Sequence, residues 1–369
     1  QHALSRRQLL AGGSAALAAA TVPGLGGSHA PSAAAQDNQV LISVGGGAWE
    51  RAQDIAYFQP FTEETGIEVV KAPSVEIAQI RAMVETGNVT YDVSSGMGAG
   101  IVYTLAEEGL LEPIDYSPFE QESLDGMFPE GKHEFGVASL LYSLIMGYNT
   151  DTFGDSGPAD WAEFWDLGGF EGPRTLGTGI DSGTCTWELA LLADGVAPED
   201  LYPIDFDRAL TSLDRVRDDI VTWWDLGGVP AQLLTDGQVN LASAWNGRIQ
   251  ALIDEGLPAT INWNQGILQW DLMFVLKGAP NPDNAMQLLA FMSRAETQAV
   301  FAENIAYAPS NSNAYEFIPE ERAAILPTAP DLMEQQIPQD FAFWDSDDPE
   351  TGQKMLDIAA ERWNEWLIG

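Results

Sequence analysis

Residues 40–44 (VLISV) read as a buried strand that stops at Gly45-Gly46-Gly47, after which the hydrophobic period changes. From 49 to 64 apolar residues recur at helical spacing, Thr65-Gly66 ends that pattern, and 67–71 is extended again. A strand, a helix and a strand joined by short glycine-marked turns make a βαβ unit. Such units build a parallel sheet with helices on its faces. No other feature restricts the fold as much. The theme recurs as helix 75–85, strand 91–94, helix 101–108, a long extended segment 137–149, a Trp-rich helical stretch 161–167, strand 174–177 and helix 186–192. Further on come helix 207–219, strand 239–244, helix 247–255, strand 272–276 and helix 282–293. The expected class is α/β, and two bodies of ordinary size account for the length.

The amino end reads as an address. Ser5-Arg6-Arg7-Gln8-Leu9-Leu10 is a twin-arginine pattern, followed by an Ala/Gly-rich apolar stretch and by Ala33-Ala34-Ala35. We expect residues 1–35 to be a twin-arginine signal peptide cleaved after Ala35, giving a periplasmic product. The stretch is too short and too rich in Gly and Pro for a membrane span. With no Cys near the cleavage point, a lipid anchor is not expected. The longest near-apolar run further on, 137–148, is broken by Ser139, Ser143 and Gly147 and reads as a core strand.

Charge narrows the partners. The chain carries 55 acidic against 16 basic residues, a formal charge of −39, and losing Arg6 and Arg7 makes it more negative still. That field repels phosphate backbones and anionic lipid, so nucleic acid and membrane surfaces are not expected partners. Lys occurs only at 71, 132, 277 and 354, and an acid-rich, Lys-poor surface suits salty surroundings. Cys185 is the only cysteine, which excludes an internal disulfide. His133 is the only histidine beyond residue 35, so no multi-His metal site is expected and any Ser/His/Asp triad would have to use it; a Cys185–His133 pair is conceivable, and a solvated surface histidine is the plainer reading. Gly45-Gly46-Gly47 lacks dinucleotide-motif spacing and reads as a permissive loop where backbone meets ligand. No cofactor is expected.

Several segments, taken in order, resemble the spermidine/putrescine-binding family of periplasmic solute-binding proteins. They are Glu63-Glu64-Thr65-Gly66-Ile67-Glu68-Val69, then Asp160-Trp161-Ala162-Glu163-Phe164-Trp165 with Phe170-Glu171-Gly172. The most specific is Asp236-Gly237-Gln238-Val239-Asn240-Leu241-Ala242-Ser243-Ala244-Trp245-Asn246-Gly247. Lys277-Gly278-Ala279-Pro280-Asn281 and Ile305-Ala306-Tyr307-Ala308-Pro309 follow at matching spacing. The resemblance implies a two-lobed, type II periplasmic-binding fold with two or three crossing strands, a hinge and a ligand cleft between the lobes. It assigns 36–145 plus 273–315 to one lobe and 146–272 plus 316–369 to the other. It also implies an ABC permease as partner, a monomer and no catalysis.

The same resemblance assigns the site. Trp49, Trp245, Trp270, Tyr307 and Trp344 fall where the family sets rings around an extended cation, and ring faces attract ammonium groups. Met97 and Ser182 complete the expected lining. Family acids are missing at Ser182, Cys185 and Leu272, while Asp181, Asp271 and Asp345 stand near those places. Arg248, directly after Trp245-Asn246-Gly247, is a new charge at a helix start, where a cation is unfavourable unless an anion answers it. A guanidinium there can grip a carboxylate with two hydrogen bonds; the plainer alternative is that it points to solvent or pairs with Asp254 or another local acid. Arg248 followed by Trp270-Asp271 resembles a variant branch that takes up γ-aminobutyrate and similar ω-amino acids, with Arg248 on the carboxylate and Asp271 on the ammonium. The alternatives kept open are putrescine or spermidine in the same cleft, and a transferase-like enzyme using Cys185.

Overall fold

A computed structural model describes residues 38–369; the expected signal segment and its cleavage point lie outside them. Eleven strands form one sheet: β1 (Gln39–Val44), β2 (Glu68–Pro73), β3 (Val93–Gly98), β4 (Lys132–His133), β5 (Gly136–Asn149), β6 (Arg174–Gly177), β7 (Ile220–Trp224), β8 (Leu241–Trp245), β9 (Ala259–Val275), β10 (Ala308–Pro309) and β11 (Gln336–Pro338). The main order is β2-β1-β3-β9-β5-β8-β6-β7. At each end the pairings are parallel, β1 with β2 and β3, and β6 with β7 and β8. In the middle β9 and β5 run antiparallel to each other, to β3 and to β8.

These two long strands cross the whole molecule. Gly136–Asn149 is almost entirely buried, as its apolar composition requires of a strand covered on both faces. Apolar side chains collect into two main cores. One is built from residues between Val40 and Leu141 with those from Leu268 to Leu326 and Phe341. The other joins residues between Leu144 and Ile267 with Trp344, Ala359 and Trp363. A smaller cluster lies beneath the helix Asn246–Asp254. Leu268, Leu272, Ile318 and Leu326, all on the second-lobe side of the boundaries implied by the resemblance, pack in the first core.

Between the cores the ladder is interrupted. Leu144 faces Ile267, but Met146 faces Asn262, and the extra residues of β9 bulge outward. Gln265 there has φ 60° and is clasped by Trp161, whose backbone and indole N–H groups donate to its side-chain and main-chain oxygens at 3.3 and 3.0 Å. Bulges let a strand bend without losing its pairing on either side.

Three expectations need revision. The strand expected at 272–276 is the end of a 17-residue strand, masked in the sequence by Asn262, Asn264, Gln265 and Gln269. The helix expected at 49–64 is interrupted by a π-turn, Asp54–Phe58, between Ala48–Gln53 and Gln59–Thr65. The strand Ile220–Trp224 was hidden because helical spacing continued to 219, whereas the helix stops at Asp214.

Asp92 ties β1 to the start of the helix Pro282–Met292. Its fully buried carboxylate accepts from Leu41 N at 2.8 Å, Asn281 N at 2.6 Å and Asn281 Nδ2 at 3.1 Å. Asp92→Ala strands all three donors and is expected to lower unfolding stability by about 3 kcal/mol in urea titration. A loss under about 1 kcal/mol would mean that water or neighbouring groups replace the carboxylate.

Candidate functional site

Parallel strands deliver their carboxyl ends to one side, and in open α/β sheets ligand crevices form there. In this chain both parallel halves point those ends at a common cavity of about 680 Å³. From the first half come Gly45 after β1, Ser74 after β2 and the 94–98 segment of β3; from the second come Asp181–Thr184 after β6, Asp225 after β7 and Trp245 with Arg248 after β8. The crossing strands supply the floor with Leu140 and Tyr142 of β5 and Gln269 and Asp271 of β9.

A belt of rings lines it. Trp49 meets Tyr307, Tyr307 meets Tyr142, and Tyr142 meets Trp245, each with centroids 6.2 Å apart and planes 69–87° apart. Edge-to-face contact of this kind fixes ring orientation while leaving faces free. Tyr307 comes so close to the next element that a Cβ on Gly247 would lie 2.6 Å from its ring, which is why glycine follows Asn246. Asn246 itself is fully buried: its Oδ1 accepts from Ser143 N at 2.9 Å and its Nδ2 donates to Ala306 O at 2.8 Å. It therefore ties the helix that starts with it to β5 and to the segment carrying Tyr307.

Arg248 stands on the first turn of that helix, exposed to the cavity, with no ion pair or hydrogen bond among the described residues. Asp254 is engaged elsewhere, accepting from Gln250 Nε2 at 2.8 Å and lying 3.5 Å from Arg322. The pairing of Arg248 with Asp254 is thereby excluded. Asp271, on the crossing strand β9, lines the same cavity. Burial pushes its carboxyl from 3.8 up to about 6, with the Tyr142 hydroxyl pulling the other way. Burial also raises the Tyr307 hydroxyl, opposed by Arg248 and reinforced by Asp271, so this ring senses both charges. One cation and one anion thus face a shared space, each without a protein counter-ion.

Of the residues singled out from the sequence, Arg248, Asp271, Trp245, Tyr307, Trp49, Ser182, Met97 and Trp344 line this cavity, as does Asp181. Trp344 does so only marginally, being buried, with its indole N–H donated to Glu188 Oε1 at 2.9 Å. Trp270 does not. Side chains alternate along a strand, so with Asp271 turned to the cavity Trp270 turns away, packing against Phe341 and Phe128 at 4.7 and 5.6 Å. Asp345 is outside as well, in a groove with Tyr103 and His133, accepting from Thr104 Oγ1 and 3.8 Å from Lys354. Leu272 belongs to the core, so the lack of an acid there says nothing about the ligand. Cys185 is buried, and burial, then Glu188 and Asp181, holds its thiol well above the ordinary value. Tyr142, Gln269 and Asp225 were missed. Tyr142 and Gln269 carry no motif, only the strand alternation that places them beside known neighbours.

Residues 56–332 match the model of the bacterial extracellular solute-binding protein family. The chain belongs to that family. It is 36% identical over 321 residues to the gamma-aminobutyric acid-binding protein of Pseudomonas aeruginosa, covering 85% of this chain and 89% of that one. It is 24% identical to the spermidine/putrescine-binding periplasmic protein of Escherichia coli, over 86% and 87% of the two chains. Among solved structures it superposes on an ABC transporter substrate-binding protein from Bradyrhizobium japonicum with TM-score 0.81 and 34% identity, covering 89% and 99%. The Atu4243-GABA receptor gives TM-score 0.78 and 32% identity, covering 89% and 97%. The fold is therefore the two-lobed α/β fold of ABC solute-binding proteins, which take up small ligands and work with a membrane permease. Among the described residues no helix is long and apolar enough to cross a membrane.

The Asp271 shift has a consequence for stability. The unfolded chain releases this proton near its ordinary 3.8 and the folded chain near 6, so between them the folded state holds the extra proton and rising pH works against it. Asp271→Asn cannot ionise. Without ligand it is expected to raise the melting temperature by about 2–4 °C at neutral pH, a gain that disappears near pH 4. Identical melting of both proteins at neutral pH would show that the carboxylate carries no burial cost.

Proposed function

We propose that this chain captures a small ω-amino acid of the γ-aminobutyrate type and delivers it to an ABC permease. The observation that carries this reading is that one ring-lined cavity holds both the Arg248 guanidinium and the Asp271 carboxylate, each without a protein counter-ion. Arg248 takes the ligand carboxylate in a two-pronged hydrogen bond. Asp271 takes the ammonium, and the faces of Trp49, Trp245, Tyr142 and Tyr307 cover the methylenes. The names of the Pseudomonas relative and of the Atu4243 receptor support the same ligand class.

Two bodies built on the two cores close by bending where β5 and β9 lose register, near Gln265. Closure of this kind holds a ligand charged at both ends better than one charged at a single end, because each charge removed from water needs an answering charge. The protein performs no chemistry in this reading: its one thiol is buried, hydrogen-bonded to the Ser182 carbonyl at 3.5 Å and held protonated. It acts as an exported monomer, sent by the twin-arginine route, without nucleic-acid partners.

A diamine or polyamine is the second reading, supported by Asp181, Asp225 and Asp271 lining the same cavity against one guanidinium. Calorimetry on residues 36–369 with 4-aminobutanoate, 5-aminopentanoate, putrescine and spermidine separates the two. We expect the ω-amino acids to bind. Arg248→Ala is expected to weaken them about 100-fold or more while leaving diamine binding equal or improved. Heat with diamines alone, unaffected by Arg248→Ala, would reverse the order of the readings. No binding of any amine would end both and leave the family assignment intact.

A further inference from the structure

Gln269 lies two residues before Asp271 on β9, so both side chains issue from the same face of the strand and both line the cavity. Gln269 is fully buried, its Nε2 donates to Gln339 Oε1 at 2.8 Å, and its Oε1 has no hydrogen-bond partner. A buried amide oxygen without a partner, on a residue that lines a ligand cavity, calls for a donor.

Which end of the amide faces the cavity is set from behind. Gln339 Nε2 donates to Ser182 O at 2.7 Å and to Glu188 Oε1 at 3.1 Å. Glu188 Oε1 is fixed as an acceptor by Tyr202 Oη and Trp344 Nε1 at 2.8 and 2.9 Å. With only acceptors on that side, Gln339 must turn its NH₂ toward them and its oxygen toward Gln269. Gln269 must answer with its own NH₂, which leaves its oxygen without a partner on the side away from Gln339. Reversing either amide would set oxygen against oxygen. The buried Glu188 end thus dictates, through two amides, that β9 presents an acceptor and not a donor beside Asp271.

We propose that Gln269 Oε1 is the second acceptor for the ligand's ammonium, and that it selects cations with several N–H groups over alkylated ones. This rests on the zwitterion reading. An ammonium has three donors; Asp271 takes one and Gln269 takes another, a task that a rounded, N-alkylated cation of the same charge cannot fulfil.

The test compares 4-aminobutanoate with 4-(dimethylamino)butanoate, which keeps the charge and carboxylate but has a single N–H, engaged by Asp271. The wild type is expected to prefer the primary amine by about tenfold or more. In Gln269→Leu the preference should shrink to within about threefold, through loss of primary-amine affinity. Gln269→Met, similar in length and without an acceptor, is the second variant, and near-UV circular dichroism shows which is folded. If folded variants keep the wild-type preference, or lose both ligands equally, the Gln269 assignment is overturned and the zwitterion reading stands. If the wild type binds neither ligand, the zwitterion reading falls and this one with it.

Discussion

The antiparallel pairing of β5 with β9 is the constraint from which the rest of the molecule follows. It runs from Val137 opposite Met273 to Asn149 opposite Ala259, through both apolar cores. Each strand also holds one side of the molecule, β9 pairing with β3 and β5 with β8. Two parallel half-sheets are thereby hung on a common spine with their carboxyl ends turned toward one another. The cavity is what remains between those ends. The spine's larger register shift lies between the cores, where Trp161 clasps Gln265 through two hydrogen bonds; a smaller one lies at Ala138–Leu140.

On that frame the site is assembled at a cost to stability. Arg248 is a cation at a helix start, where the peptide dipoles disfavour it, and Asp271 is a carboxylate pushed up by burial. Gln269 leaves a buried oxygen unpaired. Three unfavourable placements in one cavity are poor packing and good preorganisation. Each is relieved by a ligand atom of the right charge or donor type, and such groups are oriented before the ligand arrives. The ring belt works the same way, its edge-to-face contacts holding the faces open. Net charge plays little part: the strongly acidic surface would favour any cation, whereas Arg248 disfavours every cation that lacks an anionic end.

Much of this was legible in the chain. Glycine-marked changes of period exposed the βαβ units, because buried parallel strands and amphipathic helices differ in spacing. Arg248 stood out because nothing local in the sequence needed it. Where the reading failed, one omission explains most of it. Trp270 and Asp271 are adjacent on a strand and cannot both face the cavity, and the same alternation puts Leu272 in the core. Tyr142 and Gln269 are register partners in the β5–β9 ladder, a pairing hidden in the chain because the strand was expected only from 272. The 17-residue length of β9 was not recoverable. Polar side chains facing a cavity and a bulge look, in a sequence alone, like a loop.

Asp345 shows the limit of arguing from a neighbour. Its preceding residue, Trp344, touches the cavity, but the helix Phe341–Asp345 turns successive side chains apart, and Asp345 ends beside Thr104 and Lys354. Helical neighbours diverge by about 100°, so adjacency in sequence is weak grounds for shared function on a helix and none on a strand. What does carry over is the link through side chains. Trp344 sends its indole N–H to Glu188, Glu188 takes an amide hydrogen from Gln339, and Gln339 orients Gln269. Trp344, a ring that also lines the cavity, thus bears on the polarity of the cavity floor by helping to hold Glu188 Oε1 as an acceptor.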